Sequence, residues 1–418
     1  MPDTPSSPLV APFVGERYAT GESLSNLLAP PYDVISTNHR RALAGLSAHN
    51  IVRLILPEGN DDRYENAASL LATWRDDQIL VRDERPSVYV LQQKLRSPGA
   101  RGRTRTGVIG AVAVEPFSRE RVRPHEKTHA EPKADRLALL RATNSMFEAL
   151  LLLARDESDE LRHHLSEVVS HEPTVTAELD DIDIRLWQVS GSQGEKIAQA
   201  AGAGSLYIAD GHHRYETAVA YRQENPSADR TLGLVVPLKD PGLTVLPTHR
   251  LIYGDTVDVD GVLAVCRERF HVHELRNDVN YAEHLAEMKN RGTACIVVQP
   301  GANAVSLLLK AGAKLGDLPF ANEPAVASLE IARIDEMVVK RLLATSGQDA
   351  HLGYSDAPDQ VIDEVVNGTA AAGVMLNATS VEQVLAVADA GAVMPQKATY
   401  FTPKVPSGLV MLDCGRQT

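Results

Sequence analysis

Two short stretches carry residue types that do chemistry. In RVRPHEKTH, residues 121–129, His125, Glu126 and His129 spell H-E-x-x-H. On a helix that spacing puts two imidazoles on one face, where they hold zinc while the glutamate acts as general base. In ADGHHR, residues 209–214, the apolar run LYI leads into Asp210 and Gly211, and a helix pattern opens at once. A helix start offers unpaired N–H groups and a positive dipole end, which suit phosphate. His212, His213 and Arg214 add donors at the same place, and arginine grips phosphate bidentately. Asp210 either holds Mg²⁺, which takes a carboxylate plus substrate phosphates, or merely caps the helix.

The zinc reading is weak on its own residues. Lys127 sets a cation between the two histidines, and Pro132 ends any helix early. Glu148 is the sole nearby third ligand, and it sits in the apolar run MFEALLLL. The same stretch fits phosphoryl transfer better. That reaction asks for cations on the phosphates, Mg²⁺ and a carboxylate to receive a hydroxyl proton. Glu126 is the candidate base. Lys127, Lys133 and Arg136 are candidate phosphate cations, and Asp135 is a cap or a second acid. Three further stretches offer ligands: Tyr32 and Asp33 in APPYDVI, His249 and Arg250 in LPTHR, and Lys397 and Lys404 in the tail MPQKATYFTPKVPSGLVML. The first reads as a turn that starts a strand, the second as the end of a strand with a surface pair. The tail reads equally as a surface segment or as a strap returning to a site.

The elements that must position these residues alternate between strand-like and helix-like patterns, which predicts a mixed α/β (α+β) fold. SVYVLQQKL and RTGVIGAVAVEP form a predicted long hairpin. DRYENAASLLATW, ADRLALLRATN and HHRYETAVAYRQEN are predicted helices, and LYIAD and the short run IVRLIL predicted strands. From about residue 256 four more helix patterns follow, with TACIVVQ and AVSLLLK as strands between them. The expected organisation is an N-terminal region, 1–255, with its core at about 120–255, and a second domain, 256–418, whose tail (391–410) is a candidate to return to the site.

The 418 residues are 44% hydrophobic with a net charge of −13. Such an acid balance argues against sequence-independent nucleic-acid binding. Three scattered cysteines without C-x-x-C spacing point to a reduced, cytoplasmic setting. No apolar run approaches the ~20 residues that span a bilayer, and no leader pattern opens the chain.

In order, APPYDVI, NIVRLILPE, PHEKTHAEPKADRLALLRATN, YIADGHHRYETA, LPTHRLI and MPQKATYFTPK resemble the family catalogued as domain of unknown function 1015. The resemblance implies a ParB/sulfiredoxin-like core similar to that of the archaeal free-serine kinase. It gives Glu126, in Pro124-His125-Glu126, the role of base. It makes Asp210, Gly211, His212, His213 and Arg214 the phosphate and substrate turn; His125 is a further candidate for holding the nucleotide's phosphates. The family's tail reads K-S-T-Y-F-Y-P-K. Here Ala398 stands for the serine and Thr402 for the second tyrosine.

The expectation is a Mg²⁺-dependent kinase taking ATP or ADP as donor and a small, serine-like hydroxyl compound as acceptor. Its partners are small molecules and nucleotide, with a homodimer left open. Asp210 positions Mg²⁺ or substrate, and Lys133, Arg136, Lys397 and Lys404 neutralise the donor. The alternatives are a nucleotide- or amino-acid-sensing regulator without turnover, and a zinc hydrolase.

Overall fold

Distant parts of the chain build the sheet that carries the ADGHHR strand. The computed structural model describes residues 7–19, 21–96, 103–126, 130–276 and 278–415. Eight strands run in the spatial order Val122–Arg123, Leu206–Asp210, Leu150–Ala154, Arg230–Pro237, Thr104–Ala113, Ser87–Leu95, Ile182–Ser190 and Val175–Leu179. Val10–Ala11 adds a ninth against Thr104–Ala113. Leu206–Asp210 lies parallel to Val122–Arg123, and Arg230–Pro237 lies parallel to Leu150–Ala154; the other pairs are antiparallel. The protein is of the mixed α/β class. Ser87–Leu95 and Thr104–Ala113 pair as neighbours in the expected antiparallel sense, from Tyr89↔Ile109 to Lys94↔Thr104.

Apolar residues explain why these strands lie inside. LLLLA, 150–154, is buried along its whole length, as a strand covered on both faces must be. The helix Glu160–Val169 turns Leu161, Leu165 and Val168 into the core, and Gly191–Ala201 adds Ile197 and Ala198. The helices Ala130–Thr143 and His212–Glu224 pack on each other and are joined by Lys133–Glu216 (2.8 Å) and Arg141–Glu224 (2.5 Å).

IVRLIL is not a strand. Val52–Ile55 is a short helix with Ile51, Val52, Leu54 and Ile55 all fully buried. Asn50 sets it up: its Oδ1 accepts from the Val52 N–H, and its Nδ2 donates to the carbonyls of Asn26 and Leu28. Only Arg53 and Leu56 of the run stay half-exposed, too few to mark a polar face, so tertiary burial overrides β-propensity. Nor does APPYDVI start a strand: Tyr32–Val34 is a 3₁₀ turn, followed by the helix Thr37–Leu46. Ser36 caps that helix by accepting from the His39 N–H.

The chain divides into two compact units. The first comprises residues 1–124, 128–244 and 403–418; the second, 125–127 and 245–402. The second unit has a six-stranded antiparallel sheet in the order Phe270–Glu274, Val305–Leu309, Ala294–Val298, Ala372–Leu376, His249–Tyr253 and His351–Ser355. Its helices include Val259–Cys266, Tyr281–Lys289, Pro358–Val366 and Val381–Asp389. Ser380 and Gln383 close a capping box on the last. Between Glu330–Ile334 and Lys340–Ala344 the helical path widens into a π turn at Asp335–Val339. Cys266, Cys295 and Cys414 are buried free thiols. No helix among the described residues is long and apolar enough to cross a membrane.

Candidate functional site

In the first unit the residues before the helix His212–Glu224 are shaped by two backbone irregularities. The ladder to Leu150–Ala154 slips between Ile208 and Asp210; such a bulge re-aims the side chain at its end. Gly211 then takes φ +96°, and a Cβ there would stand 2.7 Å from Leu150 and 3.1 Å from the Arg214 guanidinium. Only glycine fits.

Asp210 does not cap this helix. Its Oδ2 accepts from Arg214 Nη2 at 2.6 Å, and its Oδ1 from Lys404 Nζ. Burial alone would push this carboxyl up, but Lys404 and Arg214 outweigh it and hold it well below the usual carboxylate range. Arg214 also donates from Nη1 to the Ala149 carbonyl (2.7 Å). Lys404 arrives from the tail, which is woven into this unit. Gln93 Nε2 donates to the Lys404 carbonyl (2.8 Å), and the Ser407 N–H donates to the Ala29 carbonyl. Leu412–Asp413 pairs with Ser145–Met146.

A second layer surrounds that cluster. Glu148 Oε1 accepts from the Tyr32 N–H (2.9 Å) and from Ser407 Oγ (3.3 Å). The Arg136 guanidinium lies 4.2 Å from the centre of the Tyr32 ring, 4.0 Å from Glu148 Oε2 and 2.5 Å from Asp135 Oδ2. Burial, with Asp33 adding, pushes the Tyr32 hydroxyl up to about 12 against the pull of Arg214 and Arg136. Arg136 and Arg214 with Phe147 and Glu148 line a cavity of about 50 Å³. Asp135 is mid-helix rather than a cap, and takes Tyr64 Oη at 2.6 Å as well. His212 is buried and His213 half-buried on the first turn of the helix. Lys133 is half-buried and paired with Glu216. Asp33 is exposed.

The second unit holds His125, Glu126, Lys397, His249 and Arg250. Glu126 bridges to Met394, and the Met394 N–H donates to the His125 carbonyl (2.8 Å). His125 is 1% exposed, with Nε2 3.1 Å from Thr399 Oγ1 and its ring edge-on to Phe401. Lys397 takes φ +51°, and its N–H donates to Glu126 Oε1 (3.3 Å). Arg250 pins this turn. Fully buried, it grips Asp335 bidentately (3.0 and 2.9 Å) and donates to the carbonyls of Thr248, Gln396 and Lys397.

His249 and Arg250 are therefore not a surface pair at the end of a strand. They open the strand His249–Tyr253 and are buried in it. The Leu376 N–H donates to His249 Nδ1, and burial, helped by Arg250, pulls the imidazole down to about 4.

The zinc geometry is absent where it can be seen. Lys127 and His129 lie outside the described residues, but His125 and Glu126 precede the helix that begins at Ala130 and sit in bridged backbone. Two histidines cannot share a helix face when one is not on the helix. No group of three His, Cys, Asp or Glu able to hold a metal occurs among the described residues.

The sequence reading overlooked Gln93, Arg105, Asp335 and Ser407. Asp335 lies within a helical path and pairs with Arg250, 85 residues away in sequence. The others act through partners more than ten residues away.

The family model described as protein of unknown function (DUF1015) matches residues 10–336, and the chain belongs to that family. No curated protein matches. Among solved structures the chain is similar to a conserved hypothetical protein from Pyrococcus furiosus, at 16% identity and TM-score 0.37, covering 75% of this chain and 97% of that one. It is also similar to a free serine kinase in complex with AMP (15%, TM-score 0.36, 72% and 92%). A third is SbnI with a C-terminal truncation from Staphylococcus aureus (11%, TM-score 0.36, 71% and 87%).

Proposed function

We propose that this protein is a nucleotide-dependent phosphotransferase acting on a small, serine-like hydroxyl compound. The observation that carries the reading is the Asp210 cluster. Two cations, Arg214 and Lys404, are held together on one carboxylate, 14% exposed, at the start of a helix. The helix end and the two cations form a preorganised cradle for a phosphate. His212 and His213, on the same first turn, are assigned to the transferring group, and Lys133 and Arg136 to supporting the positive field. The motif resemblance supplies the reaction class.

In that reaction the acceptor oxygen forms a bond to the terminal phosphorus of ATP or ADP. The bond from phosphorus to the bridging oxygen breaks, and the shortened nucleotide leaves. The motif resemblance assigns Glu126 to receive the hydroxyl proton; within its own unit the N–H of Lys397 donates to its carboxylate. Tyr32 and Asp33 are assigned to the acceptor. His249 and Arg250 have no such role, because both are enclosed in the second unit's strand.

The Mg²⁺ expected at Asp210 from the chemistry of phosphoryl transfer does not fit there, because both carboxylate oxygens are taken by Lys404 and Arg214. No step is assigned to it there. The same full pairing of Asp210 favours a second reading, a nucleotide- or amino-acid-sensing regulator that binds without turnover.

Phosphorus NMR separates the two. The purified protein is mixed with ATP or ADP and serine, then with pooled small alcohols and hydroxy acids, each with Mg²⁺ and with EDTA. A new phosphomonoester resonance is expected. Intact nucleotide that nonetheless binds would overturn the kinase and leave the sensor.

A further inference from the structure

Arg105 is unexplained by the phosphotransferase reading. It stands in the strand Thr104–Ala113, opposite Gln93 across the ladder, and is 1% exposed. Its Nη2 donates to Gln93 Oε1. Its Nε and Nη1 are buried with no hydrogen-bond partner among the described residues.

A guanidinium cannot escape by losing its proton. Burial pulls it down only to about 10, with Asp240 and Asp210 opposing. Neither carboxylate turns to it. Asp240 accepts from the backbone N–H groups of Thr106 (3.1 Å) and Gly242 (2.9 Å). Asp210 is taken by Lys404 and Arg214. A buried cation with two nitrogens left without hydrogen bonds weakens a fold, and an apolar residue of similar volume would serve stability better. Functional sites are where proteins break such packing rules. Gln93 places it: the amide that accepts from Arg105 donates, through Nε2, to the carbonyl of Lys404. Arg105 is thus one side chain removed from the residue that grips Asp210.

We propose that Arg105 is an anion-binding residue whose two unpartnered nitrogens receive an oxyanion of the ligand. The oxyanion is a phosphate of the nucleotide or the carboxylate of the acceptor. The inference rests on the nucleotide-and-acceptor reading of the Asp210 cluster and adds a recognition residue to it.

The test is calorimetric binding to the full chain, at fixed ionic strength, of inorganic pyrophosphate, ADP, serine and ethanolamine, which is serine without its carboxylate. Wild type is compared with Arg105→Met and Arg105→Lys. Arg105→Met is expected to melt no lower than wild type, and to lose at least tenfold in affinity for one class of oxyanion while keeping the other. Loss confined to pyrophosphate and ADP identifies the phosphate. Loss confined to serine, which then binds no better than ethanolamine, identifies the carboxylate. Arg105→Lys keeps the charge without the planar fork and is expected to fall between. Wild-type affinity for all four probes in a folded Arg105→Met would overturn the proposal, as would a wild-type chain that binds none of them. Turnover is read separately. Arg105-dependent binding without turnover upholds this inference and sinks the kinase. Turnover with unchanged binding in Arg105→Met does the reverse.

Discussion

Asp210 keeps its charge because Lys404 and Arg214 outweigh its burial, and that makes stability pH-dependent with a definite sign. A carboxyl depressed in the folded state contributes stability above its unfolded pKa, about 3.9. The contribution fades as pH falls below that value toward the folded one. Lys404→Met leaves a buried carboxylate one cation short, a loss of about 3–5 kcal/mol for a broken buried pair. Urea unfolding at pH 7 and near pH 3 should show the larger penalty at pH 7. Equal penalties would mean that Lys404 acts by packing alone. His249 has the opposite charge type but the same slope. Its folded pKa near 4 lies below the ordinary 6.5. The unfolded chain therefore binds the extra proton between those values, and about 3 kcal/mol is lost as pH falls from 6.5 to 4. Ring NMR should show His249 titrating near 4, with its proton on Nε2, since Nδ1 accepts from Leu376. A midpoint near 6.5 would contradict the burial. For chemistry, Glu126→Gln should cut turnover by roughly two to four orders of magnitude with nucleotide affinity unchanged. Unchanged turnover would remove Glu126 from its role.

Elements show where the sequence was readable. The helix Arg63–Asp76 follows from its spacing, since Ala67, Leu71 and Trp74 are the residues it buries. Glu160–Val169 carries an equally plain stripe, Leu161, Leu165 and Val168. IVRLIL misled because a four-residue helix buried on most sides has too little periodicity to read. The D-G-H-H-R turn was legible as a strand-to-helix junction, since Gly and a change of period mark it. Its partners were not, because Lys404 is 194 residues away from Asp210 in sequence. Nothing local told which of the tail's two lysines reaches that carboxylate. The π turn at Asp335–Val339 left no trace either, although Asp335 fixes Arg250, which fixes the Lys397 turn. Lys397 is exposed and held at positive φ. Asp335→Asn should therefore raise tryptic cleavage after Lys397 about tenfold in the folded protein, with Arg250→Lys behaving alike. Cleavage at the wild-type rate would show that the turn holds itself. Gly211→Ala tests the junction itself. Positive φ and the 2.7 Å approach to Leu150 should cost about 2–4 kcal/mol in urea unfolding.

The whole molecule adds a constraint that no residue or element shows alone: the order in which the chain visits its two units. The first unit is assembled from residues 1–124, 128–244 and 403–418, so it closes only after the last segment has been made. That segment is no decoration. Val405, Leu409, Val410, Met411 and Leu412 are each 4% exposed or less, Met411 within the same core as Ile51 and Trp74. The second unit is almost contiguous, and its six-stranded sheet lies wholly within residues 249–376. Contact between distant segments must overcome loop-closure entropy, whereas a contiguous unit contains its own partners. Residues 245–402 expressed alone should fold, with dispersed amide resonances and a cooperative melt. Residues 1–402 should lose the cooperative transition of the first unit, because removing the tail uncovers that core and leaves Asp210 without Lys404. Adding residues 403–418 back as a peptide should restore it, with a midpoint that rises with peptide concentration as linkage requires. A truncated chain that melts like the full one would mean that the tail only covers the first unit and does not complete it.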